Sequence, residues 1–214
     1  MTDWNRYSRI RFQYDPRRTI VWRLICAWLE REIPRDAHVL ELGAGYCDFI
    51  NQIHAARKVA LDIADTVRQT AAPNVEVHVG SCTDLGFVTH ATLDVVFASN
   101  FFEHLTLAQM EQTLVEVRRV LKPGGKLLVI QPNFRYCYRD YFDDYTHVMI
   151  YTERSLADVF SAAGFELERI QPRFLPFSMK SHLPVVAPFV WLYLRSPFKP
   201  FAGQMLLVAR KPTG

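Results

Sequence analysis

An α/β fold built on a mostly parallel sheet is predicted by three features of this chain. Strand-like and helix-like segments alternate along most of its length. Several strand-like segments, such as Val95-Val96-Phe97, are apolar at successive positions, as strands buried on both faces are. The first of them runs straight into Gly43-Ala44-Gly45, a tight glycine turn. Alternation of this kind implies right-handed crossovers and a parallel sheet. Ligands of such sheets sit at the carboxyl ends of the strands, near the switch point beside the first one.

Each element carries its own signal. Residues 17–32 place apolar side chains at helical spacing and stop before Pro34. The stretch HVLEL reads as the first strand, with a helix expected after Asp48. KVALDI, VEVHVG and LDVVFAS read as the second to fourth strands. Leu107, Met110, Leu114, Val117 and Leu121 recur every three or four residues, so a helix is expected there, opened by a capping box of Thr106 and Gln109. The KPGG stretch that follows reads as a glycine-terminated helix end. KLLVIQP is the fifth strand. TERSLADVFSAAG is a helix with Thr152 as N-cap and Gly164 as stop, and FELERIQ and QMLLVARK supply the last two strands.

Composition bounds the function. The 214 residues suffice for one well-buried domain. A net charge of +3 is too modest to argue for nucleic acid. No acidic residue follows Glu168, while Arg169, Arg173, Lys180, Arg195, Lys199, Arg210 and Lys211 do. Such a basic tail suits an anionic substrate, a membrane surface or an ordinary solvated edge. The four cysteines form neither a CxxC pair nor a metal-ligand spacing, and free thiols fit a reducing compartment. The N-terminus has no apolar signal core, and LPVVAPFVWLYL is too short to span a bilayer. A cytoplasmic location and no metal site are therefore the expectations.

The glycine turn discriminates between ligands. A dinucleotide fingerprint requires a third glycine where this chain has Asp48. A carboxylate there would repel a pyrophosphate, and Glu41 adds a second negative group. A cationic, phosphate-free ligand fits better. Taken singly, Gly43 and Gly45 require only a tight turn, and Asp62 and Asp84 require only strand-end caps. Their order along the chain says more.

That ordered set resembles the class I S-adenosylmethionine-dependent methyltransferases. VLELGAGYCDF resembles their E/D-x-G-x-G-x-G loop, with Cys47 in place of the last glycine. ALDI resembles the end of their second strand, GSCTDLGF their adenine-side loop, LDVVFASNFFEHL their fourth strand and its exit, and RRVLKPGGKLLVIQPN their helix-turn-strand signature. The resemblance spans about residues 35–164 and implies a three-layer Rossmann-like sheet of seven strands, with the last antiparallel. The cofactor it implies is S-adenosylmethionine, held by Glu41, Gly43, Ala44, Gly45, Asp62, Ile63, Asp84, Leu85 and Asn100. In that reading Asp62 takes the ribose hydroxyls and Asp84 the adenine amino group. Cys47 either narrows the passage beside the donor or points into the packing between sheet and helix. The division expected is one domain over 1–214: a helical arm over 1–34 whose Tyr7 and Tyr14 close on the cofactor, a core over 35–170, an insertion over 171–203 and a final strand over 204–214.

Methyl transfer is an in-line displacement that needs alignment and exclusion of water. A hydroxyl acceptor also benefits from a base, for which histidine is best matched. His147, after the fifth strand, is the first candidate, with Asp143 and Asp144 nearby to orient it. His104, beyond the fourth strand, is the second, with a structural or donor-contact role favoured; quinone-precursor methyltransferases hold a divalent metal around a similar Glu-His pair. Tyr136, Tyr138 and Tyr141 are candidates to line an acceptor pocket, or close the core, and His182 in the basic tail could meet an acceptor. His54 fits a solvated helix end.

No [DNS]-P-P-[YFW] or Pro-Cys follows the fourth strand, which argues against a DNA partner. Residues 171–203 form a long connection, read as an acceptor lid, a homodimer contact or a membrane-surface segment centred on 183–194. PNFRYCYRDYFDDYTH and RFLPFSMKSHLP also resemble bacterial methyltransferases of cell-surface glycan synthesis. That implies O-methylation of a small-molecule or glycan acceptor, including a lipid-linked sugar. The alternatives are a metabolite or quinone-precursor methyltransferase, an inactive cofactor-binding partner subunit, and an NAD-dependent oxidoreductase, which the acidic loop disfavours.

Overall fold

The computed structural model describes residues 3–11, 14–177 and 185–214. Two N-terminal helices, α1 (Trp4–Arg11) and α2 (Arg17–Leu29), precede the sheet. The chain then runs through β1 (His38–Leu42), β2 (Arg57–Asp62), α3 (Val67–Thr70), β3 (Glu76–Val79), β4 (Leu93–Ser99), α4 (Leu107–Val120), β5 (Leu121–Pro132), α5 (Phe134–Cys137), α6 (Glu153–Ala162), β6 (Glu166–Pro176), α7 (Ala187–Arg195) and β7 (Ala202–Arg210). The seven strands form one sheet in the order β3-β2-β1-β4-β5-β7-β6. Pairing is parallel from β3 through β5, and β7 runs antiparallel to both of its neighbours. This is the expected α/β, Rossmann-like arrangement, with the order reversing between β1 and β4.

Side chains alternate across the sheet, so it packs on both faces. Leu40, Leu42, Val96, Leu127, Val129 and Leu207 face one way, onto α4 and α6 through Leu114, Val117, Leu156 and Phe160. Val39, Val95, Phe97, Leu128, Ile130 and Leu206 face the other, onto α2 through Ile25, Trp28 and Leu29. Phe49 stacks on Phe97 with ring centroids 3.8 Å apart, which pins the glycine-turn loop to the sheet. The edge strand β6 is largely exposed and bears charge: Glu166 and Glu168 pair with Arg210, and Glu168 also pairs with Lys126. Charged edges discourage further strand pairing.

Helix ends follow the sequence in two cases. Thr106 and Gln109 form the capping box of α4, and Thr152 with Ser155 forms that of α6. Gly164 adopts φ +81° after α6, the left-handed stop that glycine allows. Two expectations need correction. No regular helix follows Asp48. Cys47 is left-handed at φ +58°, and residues 47–53 form overlapping turns closed by bonds such as Asn51 N to Cys47 O and Gln52 N to Phe49 O. Nor does KPGG form a glycine cap. Leu121 is already extended at the end of α4 and pairs with Leu93, so Lys122 to Gly125 fall within β5. The last two strands also reach into the predicted insertion, leaving α7 as its helical part. No helix among the described residues is long and apolar enough to cross a membrane.

Candidate active site

The carboxyl ends of β1, β2 and β4 converge on one cleft, as the switch-point rule requires. Its wall includes Glu41, Gly43, Ala44, Gly45, Asp62, Ile63 and Asn100, all sequence candidates, and it includes His104. Gly43 and Gly45 are left-handed, at φ +65° and +50°. At Gly43 an added Cβ would lie 2.4 Å from the Phe101 ring, so no side chain fits between the turn and β4's exit. A Cβ at Gly45 would meet open space, so at this point the backbone itself faces the cleft.

Asp62 is held by two backbone donors: Gly45 N donates to Oδ2 and Ala64 N to Oδ1, each at 2.8 Å. Burial raises its pKa, against the pull of these bonds. Each oxygen keeps a lone pair for a further donor. Glu41 is almost fully buried and accepts from Ile50 N at 3.1 Å. Burial raises its pKa well above the ordinary value, with Asp48 and Asp62 pushing the same way. A bound cation would stabilise its charged form.

Asp48 does not stand bare at the glycine position. Arg18 from α2 reaches it with Nη2 2.6 Å from Oδ2 and donates from Nε at 2.7 Å. The cationic side chain nearest the turn is thereby committed to a carboxylate and not to a ligand phosphate. Cys47 points away: its Sγ is fully buried in the α2-side core, 3.9 Å from Val67 O, and receives Thr70 Oγ1 at 3.5 Å.

The arm reaches this cleft through Trp4 and Tyr7, and not through Tyr14. Tyr14 bonds Thr19 and meets the ring of Tyr46, which is the residue that lines the cleft. Trp4 and Tyr7 both pack edge-on against His104. Tyr7 donates its hydroxyl to Asp144 Oδ2 at 2.5 Å.

His104 belongs to a polar chain. Thr146 donates its hydroxyl to Asp144 Oδ1 at 2.6 Å, so at 2.9 Å Thr146 Oγ1 must accept from His104 Nδ1–H. That fixes the tautomer and leaves the lone pair on Nε2. Burial, then the adjacent His147, lowers the His104 pKa to about 4, so the ring is neutral at ordinary pH. His147 lies one layer deeper. Its Nδ1 is 2.6 Å from Tyr141 O, and its Nε2 lies 3.9 Å from Glu103 Oε1. It does not line the cleft, because Val148 N and Met149 N bond Glu103 O and tuck this loop under β4's exit. Glu103 has no exposed surface, neither of its oxygens makes a well-formed hydrogen bond, and burial raises its pKa to about 8. Ligand-type atoms of Glu103, His104 and His147 lie within 4.8 Å of one another, so the third donor that the sequence did not offer beside Glu103-His104 is present. Those three are the residues that could hold a cation.

Other candidates fall elsewhere. Asp84 is exposed and accepts from Gly86 N, and Leu85 is fully buried in the core; Gly80, Ser81 and Cys82 line the cleft on that side instead. The tyrosines are not brought together at the cleft. Tyr141 is buried and donates to Met149 O at 2.5 Å, while Tyr136 on α5 and Tyr138 just after it stand exposed beneath Arg173 and Arg139. His182 lies outside the described residues. Arg18 and Trp22, one helical turn apart on α2, were legible as a pair on one face, but nothing in the sequence said that this face covers the cleft.

Residues 40–129 match the family model described as a methyltransferase domain. This stretch contains the glycine turn, Asp62, Asn100 and His104, the parts that form the cleft. Over this stretch the chain is similar to the methyltransferase-domain family, and its fold is that of S-adenosylmethionine-dependent methyltransferases. A ubiquinone/menaquinone biosynthesis C-methyltransferase of Paracoccus denitrificans is 26% identical to this chain over 145 residues, 58% of this chain and 56% of the relative. An uncharacterized methyltransferase of Schizosaccharomyces pombe is 31% identical over 137 residues, 60% of this chain and 50% of that protein. The chain thus spans about half the length of these curated relatives. An S-adenosylmethionine-dependent methyltransferase of Archaeoglobus fulgidus shares the fold at a TM-score of 0.68, with 18% identity over 98% of this chain and 100% of that one.

The cleft fits the family's cofactor by its donor set. Glu41 and Asp62 offer carboxylates to a cation and a diol, Gly45 leaves its approach open, and Ile63 offers apolar surface to a ring.

Proposed function

We propose that this protein transfers a methyl group from S-adenosylmethionine to an oxygen of a small-molecule or glycan acceptor. The observation that carries the reading is the pairing of Arg18 with Asp48 beside the cleft-lining Glu41 and Asp62 carboxylates. It makes the glycine-turn cleft suited to a cationic, phosphate-free ligand. Asp62 would hold the ribose hydroxyls, and the Gly43–Gly45 backbone and Glu41 the amino-acid end. Asn100, fixed by Gln204 at 2.7 Å, would face the reacting groups.

When bound, the cofactor supplies a sulfonium methyl group open to in-line attack. Trp4 and Tyr7 cover the site and exclude water. His104 Nε2 is the proton acceptor for the acceptor hydroxyl: it lines the cleft, carries the lone pair, and is backed through Thr146 by Asp144. Nε2 would take the proton that the acceptor hydroxyl loses on methylation. Asp144 then stabilises the imidazolium through Thr146. His147 acts from beneath, as a positioning residue. A second reading, methylation of a quinone precursor, is supported by the likeness to the Paracoccus C-methyltransferase.

Titration calorimetry with S-adenosylhomocysteine tests the donor site. Saturable binding is expected, weakened about ten- to a hundredfold by Asp62→Ala, as for loss of a charged hydrogen-bond acceptor. Absence of saturable binding by the native protein would sink the proposal.

A further inference from the structure

A second cleft, with a volume of about 360 Å³, opens from the first. The two share Arg18, Trp22, Ser99 and Asn100. Beyond that shared end the wall is apolar: Val21, Ile25, Leu175, Phe189, Val190 and Leu192 contribute from α2, β6 and α7. Arg18 is the one charged residue of the lining among the described residues, and it is committed to Asp48. Beyond the shared end the polar side chains are also engaged. Tyr193 donates to Pro200 O, Ser196 Oγ to Phe198 O, and the Gln204 amide to Asn100. A sugar placed deep in this cleft would lose water without regaining hydrogen bonds, whereas a hydrocarbon would lose nothing. Phe189 and Leu192 line the cleft and are still more than half exposed, so a chain can enter between them.

We propose that this cleft is the subsite for the hydrocarbon chain of an amphiphilic acceptor, whose polar head reaches Ser99 and Asn100 at the shared end. The inference rests on the methyl-donor reading for the acceptor role, but the hydrocarbon site itself stands on the lining alone. It also accounts for the insertion, since α7 builds the chain-binding wall.

The probes are hexyl, octyl and decyl β-glucosides, each below its critical micelle concentration, read by calorimetry and by the fluorescence of Trp22, which lines both clefts. Saturable binding is expected, tightening roughly two- to fourfold per added methylene. Glucose alone should not bind. The double variant Phe189→Glu with Leu192→Glu changes two exposed positions, so it should fold as the native chain does. It should weaken decyl glucoside at least tenfold and leave S-adenosylhomocysteine affinity unchanged. Affinity independent of chain length, non-saturable adsorption, or equal affinity in the double variant would overturn the proposal. Chain-length-dependent binding in a protein that does not bind S-adenosylhomocysteine would instead overturn the donor reading and keep the hydrocarbon site.

Discussion

Arg18 of α2 places its guanidinium 2.6 Å from the carboxylate of Asp48 in the glycine-turn loop. The contact joins the N-terminal arm to the core across 30 positions of sequence. It also explains why an acidic residue is tolerated where a dinucleotide loop has glycine. Asp48 lies close enough to disfavour the charge on Glu41, and Arg18 offsets this. Arg18→Ala should leave a nearly buried carboxylate without its cation. Stability should fall by about 1–3 kcal/mol in urea titration, less than for a fully buried pair because Arg18 is partly exposed. Unchanged urea midpoints would show that the pair contributes nothing.

His104 and His147 separate in their expected effects. His104→Ala should lower turnover about 10²–10⁴-fold, the usual range for a lost general base. Thr146→Val should cost less, because Nε2 stays in place while its orientation loosens. His147→Ala should act through loop packing, with a smaller loss in turnover and a lower melting temperature. The pH–rate profile is the sharper measurement. A His104 pKa near 4 puts the acid limb below pH 5. An acid limb near 6.5 would point to a solvated histidine instead.

Much of the fold was legible because it rests on local pattern. Val95-Val96-Phe97 and Leu127-Leu128-Val129 announce strands buried on both sides, and Thr106 and Thr152 announce helix starts. Glu41, Gly43, Gly45, Asp62 and Asn100 were legible too, since each sits at a strand end and the sheet order brings those ends together. The failures share a cause. Asp84 sits in a loop, where backbone conformation decides which way a side chain points. The roles of His104 and His147 depend on a loop returning from residue 149 to Glu103, a contact that no spacing encodes. The second cleft needs α2 and α7 to meet, and they lie far apart in sequence.

Stability should respond to pH through Glu103. Its folded pKa is raised to about 8, against 4.5 ordinarily, so between those values the folded state holds the proton more tightly. That contribution is full below about pH 4.5 and is lost as pH rises through 8. His104 works the other way: its lowered pKa makes folding more favourable as pH rises from about 4 to 6.5. The two oppose each other at acid pH, so the Glu103 effect should be clearest between about 6.5 and 8, where Glu41, also raised by burial, acts in the same direction. There the melting temperature should fall with rising pH, with Glu103 contributing at most about 1.4 kcal/mol of stability per pH unit. Glu103→Gln, neutral throughout, should flatten that slope. A slope identical in the variant would assign the proton elsewhere.

Cys47 offers the last test, because its position in the turn and the direction of its side chain suggest opposite outcomes. The residue is left-handed at φ +58°, where glycine is the relaxed choice. Its sulfur nevertheless fills a fully buried space against Val67 and Thr70, and burial drives its pKa up to about 12. Cys47→Ala should therefore leave S-adenosylhomocysteine affinity within about twofold while lowering stability by roughly 1–2 kcal/mol, as small core truncations do. Cys47→Gly should regain part of that loss through relief of the backbone, less the added freedom of its unfolded chain. The native thiol should resist alkylation until the protein unfolds, since only the thiolate reacts. Calorimetry that showed Cys47→Ala tightening the donor analogue tenfold would place the sulfur in the donor passage after all.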